Sequence, residues 1–360
     1  MRLIQIAHAL TLHDGASKFV QKLDGMFQKL GYDTEIFAHK LDERIQNDHI
    51  QTMDKFDGTA EDIVIYHMTT GTSFNKWVAN YPHRIVLYYH NITPAKFFFG
   101  NAWGSWLKCI QGRRQLKSIV KNTFYAWGAS EYSCEELRAL GIREAKPLAA
   151  IVEPEKFLER PVVQAIYDKY HDGRLNLLIV GRGVPHKKQD EAIEIVRYYK
   201  EHIDAKVRLI IVGNIKPSFA KKLHRMVEQY KMQNDVVFAG SVSNDELCTW
   251  YRVADALLCL SEHEGFCVPL VEAMVFDKPV FAYAAAAVPE TVGRAGVILS
   301  DKDPEKTARI IHATLEDEAV MKQLAEERCC RLKELSYENI FAQVKQDIAH
   351  IVSRWGENNK

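Results

Sequence analysis

Ser261-Glu262-His263-Glu264-Gly265-Phe266-Cys267-Val268-Pro269-Leu270-Val271-Glu272-Ala273-Met274 joins an apolar, strand-like run to a helical one. It carries two carboxylates eight residues apart, Glu264 on the incoming loop and Glu272 inside the expected helix. Pro269 reads as the first helical residue, where a missing N–H costs no hydrogen bond. The amides of residues 266–270, Val268 among them, are then unpaired donors at a helix terminus. Such a terminus carries roughly half a positive charge and commonly binds phosphate. Carboxylates that hold hydroxyl groups, set around a terminus that holds phosphate, describe a nucleoside diphosphate site.

The surrounding 360 residues are too many for one ordinary core, so two domains are expected. With 47% hydrophobic and 26% charged residues the composition is that of a globular protein. No run approaches the about 18 apolar residues of a membrane span, and Met1-Arg2-Leu3-Ile4-Gln5-Ile6 turns polar too soon for a signal peptide. The seven cysteines are scattered without a C-x-x-C pair and read as free thiols of a reducing cytoplasm rather than zinc ligands. The net charge of zero hides an asymmetry: residues 63–130 contain no Asp or Glu but eight Lys and Arg, so one face of the first half is expected to be basic.

Short apolar runs recur at residues 3–7, 63–67, 85–89, 124–127 and 148–152, then at 175–180, 207–212, 236–239, 256–260 and 280–283. Separated by amphipathic stretches, they predict parallel sheets with helical crossovers. The expected fold class is α/β, as two doubly wound domains. The charged, proline-punctuated residues 153–174 mark the boundary, giving a first domain over 1–160 and a second over 161–336. After Asp303-Pro304 helices are expected to the end. In the last one, over 337–360, Ile340, Phe341, Val344, Ile348, Ile351, Val352 and Trp355 form a stripe expected to pack back towards the first domain.

Val180-Gly181-Arg182-Gly183-Val184-Pro185-His186-Lys187-Lys188 places cations just after a strand, where ligands of open parallel sheets bind. A dinucleotide fingerprint is the rival reading, but its last glycine position is occupied by His186. Downstream lie Phe238-Ala239-Gly240-Ser241-Val242, Asp245-Glu246-Leu247, Ala254-Asp255-Ala256 and Glu264-Gly265-Phe266…Pro269…Glu272-Ala273-Met274. In order and spacing these motifs resemble the C-terminal half of family 4 glycosyltransferases, over most of residues 175–297. The resemblance implies a GT-B fold, two facing Rossmann-like domains, and retaining transfer of a sugar from a nucleotide-diphosphate donor.

It further implies that Glu264 holds hydroxyls of the donor sugar beside the amides of Gly265, Phe266 and Cys267, and that Glu272 holds the ribose. Arg182 and Lys187, with the amide of Val268, would bind the diphosphate. Taken alone, Glu272 reads rather as a carboxylate complementing the helix dipole, worth under about 1 kcal/mol; Glu264, Arg182 and Lys187 in register favour the ribose role. His13-Asp14-Gly15-Ala16-Ser17 follows the first strand and precedes a helix expected over residues 19–30. The family usually has two glycines here, so only Gly15 carries over to the diphosphate, and Asp14 would repel an anion unless it turns towards the acceptor. By the same resemblance His90, at a strand end, stands near the donor sugar, and Ser130, at another, faces the cleft.

No metal or other cofactor is expected, because preorganised amides and two cations can stabilise the leaving diphosphate. The one D-x-D, Asp301-Lys302-Asp303, reads as a loop and helix cap before Pro304. Residues 96–117 combine Phe97, Phe98, Phe99, Trp103 and Trp106 with Lys108, Arg113, Arg114 and Lys117. They read either as an anionic-membrane or lipid-linked acceptor surface, or as an aromatic core under a solvated basic face. No nucleic-acid reading motif accompanies them. The expected activity is cytoplasmic or membrane-peripheral glycosyl transfer to a glycan or lipid-linked glycan. A catalytically silent scaffold subunit and a phosphorylase or epimerase of the same fold are the alternatives.

Overall fold

The computed structural model describes residues 1–12, 14–100 and 102–358, leaving His13 of the first loop and the final two residues of the expected terminal helix outside the described residues. The chain divides into two compact units, one of residues 1–151 with 335–360 and one of 152–334.

In the first unit the elements run β1 (Leu3–Leu10), α1 (Gly15–Lys29), β2 (Thr34–Leu41), β3 (Ile50–Thr52), β4 (Ile63–Met68), α2 (Phe74–Ala79), β5 (Ile85–Tyr89), α3 (Trp103–Ile119), β6 (Thr123–Gly128), α4 (Glu131–Ala139) and β7 (Ala145–Pro147). All seven strands are parallel, in the order β3-β2-β1-β4-β5-β6-β7. Chain order reverses at β1, whose Leu3 pairs with Thr34 on one side and Ile63 on the other. That is the switch point at which doubly wound sheets open a ligand crevice beyond their strand C-termini.

The second unit runs α5 (Pro154–Leu158), α6 (Gln164–Tyr170), β8 (Leu175–Val180), α7 (Gln189–His202), β9 (Val207–Val212), α8 (Pro217–Gln229), β10 (Val236–Gly240), α9 (Asn244–Val253), β11 (Ala256–Cys259), α10 (Val268–Val275), β12 (Val280–Tyr283), α11 (Val288–Val292), β13 (Val297–Leu299), α12 (Pro304–Glu316) and α13 (Glu318–Glu334). Its six strands are parallel in the order β10-β9-β8-β11-β12-β13, with the switch between β8 and β11. Alternate residues of β8 enter different cores. Leu177 and Ile179 pack with Ile193 and Val196 of α7 and Leu223 of α8. Leu178 packs with Tyr251 of α9 and Leu270 and Met274 of α10. A strand covered on both faces has no polar side to show, which is why it reads as one apolar run.

Several expected boundaries move. Residues 148–152 are not a strand; the seventh strand is the three-residue β7 just before them. The boundary expected within 153–174 lies just before it, at residues 151–152, and Phe157, Ile166, Tyr167 and Tyr170 on α5 and α6 pack against the second unit's core. Helix α1 starts at Gly15 rather than residue 19, because Asp14 caps it. Strands β2, β3 and β13 were not expected, being short or broken by polar residues.

The terminal helix α14 (Tyr337–Asn358) belongs to the first unit. Val344, Ile348 and Ile351 are fully buried. Asp347, also buried, accepts from Trp127 Nε1 at 2.9 Å and pairs with Lys146 at 2.8 Å, while Gln343 donates to the Pro147 carbonyl at 2.6 Å. The polar clasp orients the helix, and the apolar stripe supplies most of its burial energy. Ile348→Ala is expected to cost about 2–5 kcal/mol, and Asp347→Ala about 1–3 kcal/mol by stranding the buried indole N–H. Urea unfolding followed by tryptophan fluorescence reads both. Unchanged midpoints would mean that α14 is not held this way.

Candidate functional site

In the second unit the site grows from the ends of β8 and β11. After β8 the chain turns at Gly181, whose φ of +144° lies where side chains are rarely tolerated, and a Cβ on neighbouring Gly213 would sit 2.1 Å from the Gly181 carbonyl oxygen. This close approach brings Lys187 back over the strand ends. After β11 the loop is tied by Glu262 N donating to His186 O at 2.8 Å. Lys187 Nζ then donates to Glu264 Oε1, with both side chains largely buried at 17% and 10% exposure. Burial pushes the Glu264 carboxyl up, but the adjacent ammonium and hydrogen bonds from Lys187 and Ser261 outweigh it, so its pKa is lowered and the group is ionised at neutral pH. Burial likewise works against the charge on Lys187, and Glu264 more than restores it. Next to them His186 is pushed down to about 4, by burial first and then by Lys187.

Glu264 leads into α10. Among the described residues no backbone carbonyl accepts from the amides of Gly265, Phe266 or Cys267, whereas Leu270 N donates to Cys267 O at 3.0 Å. The expected row of open donors is therefore shorter than residues 266–270. The Phe266 carbonyl is anchored by Thr291 Oγ1 at 2.5 Å. Cys267 caps the helix with φ +74°, Val268 is its first residue, and Pro269 occupies the second position rather than the first. Glu272, about one turn on, is buried and accepts from Tyr251 Oη at 2.7 Å. A partner on a neighbouring helix shows that the carboxylate does more than face the helix dipole. Arg182 is exposed beyond β8, with its carbonyl accepting from Gln189 Nε2 at 3.3 Å. The structure thus joins Lys187 directly to Glu264 and holds Glu272 separately through Tyr251.

In the first unit His90 follows β5 and belongs to a buried polar chain. Gln5 on β1 donates from Nε2 to the Val20 carbonyl at 3.1 Å and to Asp24 Oδ1 at 3.3 Å, so its Oε1 faces His67 Nε2 at 2.9 Å as an acceptor. His67 must then carry its proton on Nε2. Burial holds both its pKa well below the usual value and that of His90 at about 4, so both rings are neutral at pH 7. His67 Nδ1, lacking a proton, accepts from His90 Nε2 at 3.2 Å. Nδ1 of His90 is left as a lone-pair acceptor. Phe19 and Tyr88, at 5.7 and 4.5 Å between ring centroids, keep the imidazole from turning.

Two other expected residues have local duties. Asp14 accepts from Ser17 N at 3.1 Å and Ser17 Oγ at 3.2 Å, turning its charge onto the α1 terminus. Ser130 is 2% exposed and caps α4 by accepting from Ser133 N at 3.2 Å, so it is buried as a cap rather than exposed at a surface. A Cβ at Gly15 would meet nothing within 4 Å, so packing does not demand glycine there. Asp303 caps α12 through Lys306 N at 2.9 Å, with Asp301 bracing the same loop. Sequence reasoning missed Gln5, His67 and Tyr251. A histidine next to the end of the wholly buried β4 was a usable signal for His67; Tyr251 gave none.

The polar chain predicts that nitrogen NMR at neutral pH finds both His67 and His90 protonated on Nε2. Gln5→Met removes the acceptor and is expected to leave a mixture of tautomers at both rings. A His90 ring protonated on Nδ1 in the unaltered protein would refute the arrangement. The unfolded ring takes a proton below about pH 6.5, whereas folded His90 refuses it until about 4. The unfolded state therefore binds more protons in that window, and stability falls as pH drops through it.

Residues 168–328 match the family model described as "Glycosyl transferases group 1". The serotype-specific mannosyltransferase WbdA of Escherichia coli is 21% identical over 49% of this chain and 22% of its own length. The D-inositol 3-phosphate glycosyltransferase of Streptomyces bingchenggensis is 28% identical over 41% of this chain and 34% of its own. These matches span between a fifth and about a third of those relatives. Over the whole fold, the crystal structure of Anabaena HepE in complex with UDP-glucose aligns with a TM-score of 0.74 and 16% identity, covering 97% of this chain and 100% of that one. Two parallel-sheet, Rossmann-like units of the GT-B type therefore make up the chain, and the match to the group 1 glycosyl transferase model lies within the second of them.

Proposed function

We propose that the protein is a retaining glycosyltransferase of the family 4 type, moving a sugar from a nucleotide-diphosphate donor to a glycan or lipid-linked glycan during surface polysaccharide or glycoconjugate assembly. The observation that carries this reading is the Lys187–Glu264 pair beside the open amides of Gly265, Phe266 and Cys267, at a switch point inside the matched region. The names of the relatives, a mannosyltransferase and an inositol phosphate glycosyltransferase, support transfer of a sugar, and the HepE complex supports a nucleotide-sugar donor.

An ionised carboxylate is an acceptor only, suited to the donor hydroxyls of a sugar. In this reading Glu264 orients the sugar. Lys187 cancels the charge that would otherwise repel the diphosphate, and it joins Arg182 and the Val268 amide in stabilising the leaving group. Glu272, oriented by Tyr251, takes the ribose hydroxyls. His90, offering a fixed lone pair, accepts from a sugar hydroxyl. Charge stabilisation by amides and cations placed in advance needs no metal, and metal independence is part of the proposal. Retention would follow attack from the face the leaving group departs, the diphosphate helping to deprotonate the acceptor hydroxyl.

The acceptor side is proposed to dock on an anionic membrane at the inner face. Among the described residues no helix is long and apolar enough to cross a membrane. The aromatic segment is divided: Phe98 is core, whereas Phe99, Trp103 and Leu107 are 61%, 56% and 58% exposed. Lys96, Lys108, Arg114 and Lys117 are exposed in the same stretch, while Arg113 is committed to Glu136 at 2.9 Å. Apolar rings amid cations suit a membrane interface.

Calorimetry against a panel of nucleotides and nucleotide sugars tests the reading. Glu272→Ala is expected to weaken nucleotide binding about tenfold to a hundredfold, the worth of a hydrogen bond to a charged group. Glu264→Gln should bind the nucleotide nearly as well but slow transfer. Equal affinity and turnover in both variants and the parent would sink the assignment. Loss of turnover on chelation would sink metal independence, and absence of flotation with anionic liposomes at low salt would remove the membrane surface.

A further inference from the structure

Strand β11 ends at Cys259 and helix α10 is capped by Cys267. The loop between them folds back so that the two sulfurs lie 3.8 Å apart, although the cysteines are scattered in sequence. Both side chains are buried, and a carboxylate oxygen of Glu264 completes a set of three donor atoms lying within 4.8 Å of one another. A tetrahedral ion with metal–sulfur bonds of about 2.3 Å separates two thiolates by about 3.8 Å. The thiol pair therefore already spans one edge of such a tetrahedron. Sugar transfer as read above uses neither sulfur. Cys267 also holds φ +74°, a conformation costing a side-chain-bearing residue about 1–3 kcal/mol, so backbone geometry does not explain a cysteine there.

We propose that Cys259, Cys267 and Glu264 form a site for a thiophilic divalent cation of the zinc class, its fourth position left to water or an anion. Thiolates are the ligating form. Two thiolates and a carboxylate carry three negative charges, which the ion's two positive charges and the one on Lys187 balance. Soft sulfur donors select zinc-like ions over magnesium or calcium, so the site is distinct from any metal that would assist phosphate departure. Its consequence for activity rests on the glycosyl-transfer reading: an ion holding Glu264 withdraws it from the donor sugar, making the site inhibitory.

Cadmium titration of the reduced full chain tests the proposal, with thiolate-to-cadmium ultraviolet absorbance and calorimetry as readouts. Exposed Cys329 and Cys330 are consecutive, so the titration is run with both replaced by serine. One saturating site is expected in that background, lost in Cys259→Ser and in Cys267→Gly, and weakened at least about tenfold in Glu264→Gln, where a charged ligand becomes a neutral one. Glycine suits the positive φ, so Cys267→Gly is expected to melt no lower than the parent. Absorbance that survives loss of either cysteine, or that vanishes with Cys329 and Cys330, overturns the site. The titration contains no nucleotide. Failure of the glycosyl-transfer reading would instead appear as metal-free protein that binds no nucleotide sugar. If transfer runs equally fast with and without zinc, the inhibitory role is overturned.

Discussion

The ion pair between Lys187 and Glu264 is the contact on which the second unit's site depends. A carboxylate held at 10% exposure would on its own take up a proton and lose its use as an acceptor. The ammonium placed against it keeps it ionised, and the carboxylate keeps the lysine charged in return. Neither partner could stay there alone, since an uncompensated buried charge costs about 3–5 kcal/mol. Everything around the pair serves to bring two distant segments to one place. The Gly181–Gly213 approach returns one segment over the strand ends, and the His186 carbonyl pins the other.

The first unit solves a related problem without charge. His67 and His90 at its strand ends are neutral and hydrogen-bonded to one another, and direction enters through a single amide. Gln5 can donate only from one end and accept only at the other, so every proton between Asp24 and His90 is assigned. A buried chain of this kind is costly if one member is unsatisfied. Once satisfied, it presents one defined atom at the strand end. The two units thus organise polar groups beyond their strand ends by different means, an ion pair in one and a tautomer chain in the other.

How much of this was legible depends on whether the signal was local. The continuous apolar runs of β4, β5, β8 and β9 announced buried parallel strands, because helices on both faces leave no room for alternation. Short or mixed strands such as β3, β7 and β13 were missed, since three residues carry no period. The segment 153–174 reads as a boundary for its charge and prolines, yet its Phe157 and Tyr170 fill a core that only the fold reveals. Motif order singled out Glu264, Lys187 and Glu272, and the structure pairs the first two, whereas Asp14 and Ser130 are helix caps, a role that strand-end position alone does not separate from ligand contact.

By itself the sequence determined the α/β class, the two-unit organisation and the cluster of carboxylates, cations and a helix start that a nucleotide sugar would need. Those are properties of composition and short-range spacing, which each segment carries wherever it folds. Only the tertiary structure decided which charges neutralise one another, which nitrogen of His90 carries the proton, and that Cys259 and Cys267 stand sulfur to sulfur. These depend on distances between segments, 77 residues apart for Lys187 and Glu264, and such distances are set by packing of the sheet and its helices rather than by any local preference of the chain.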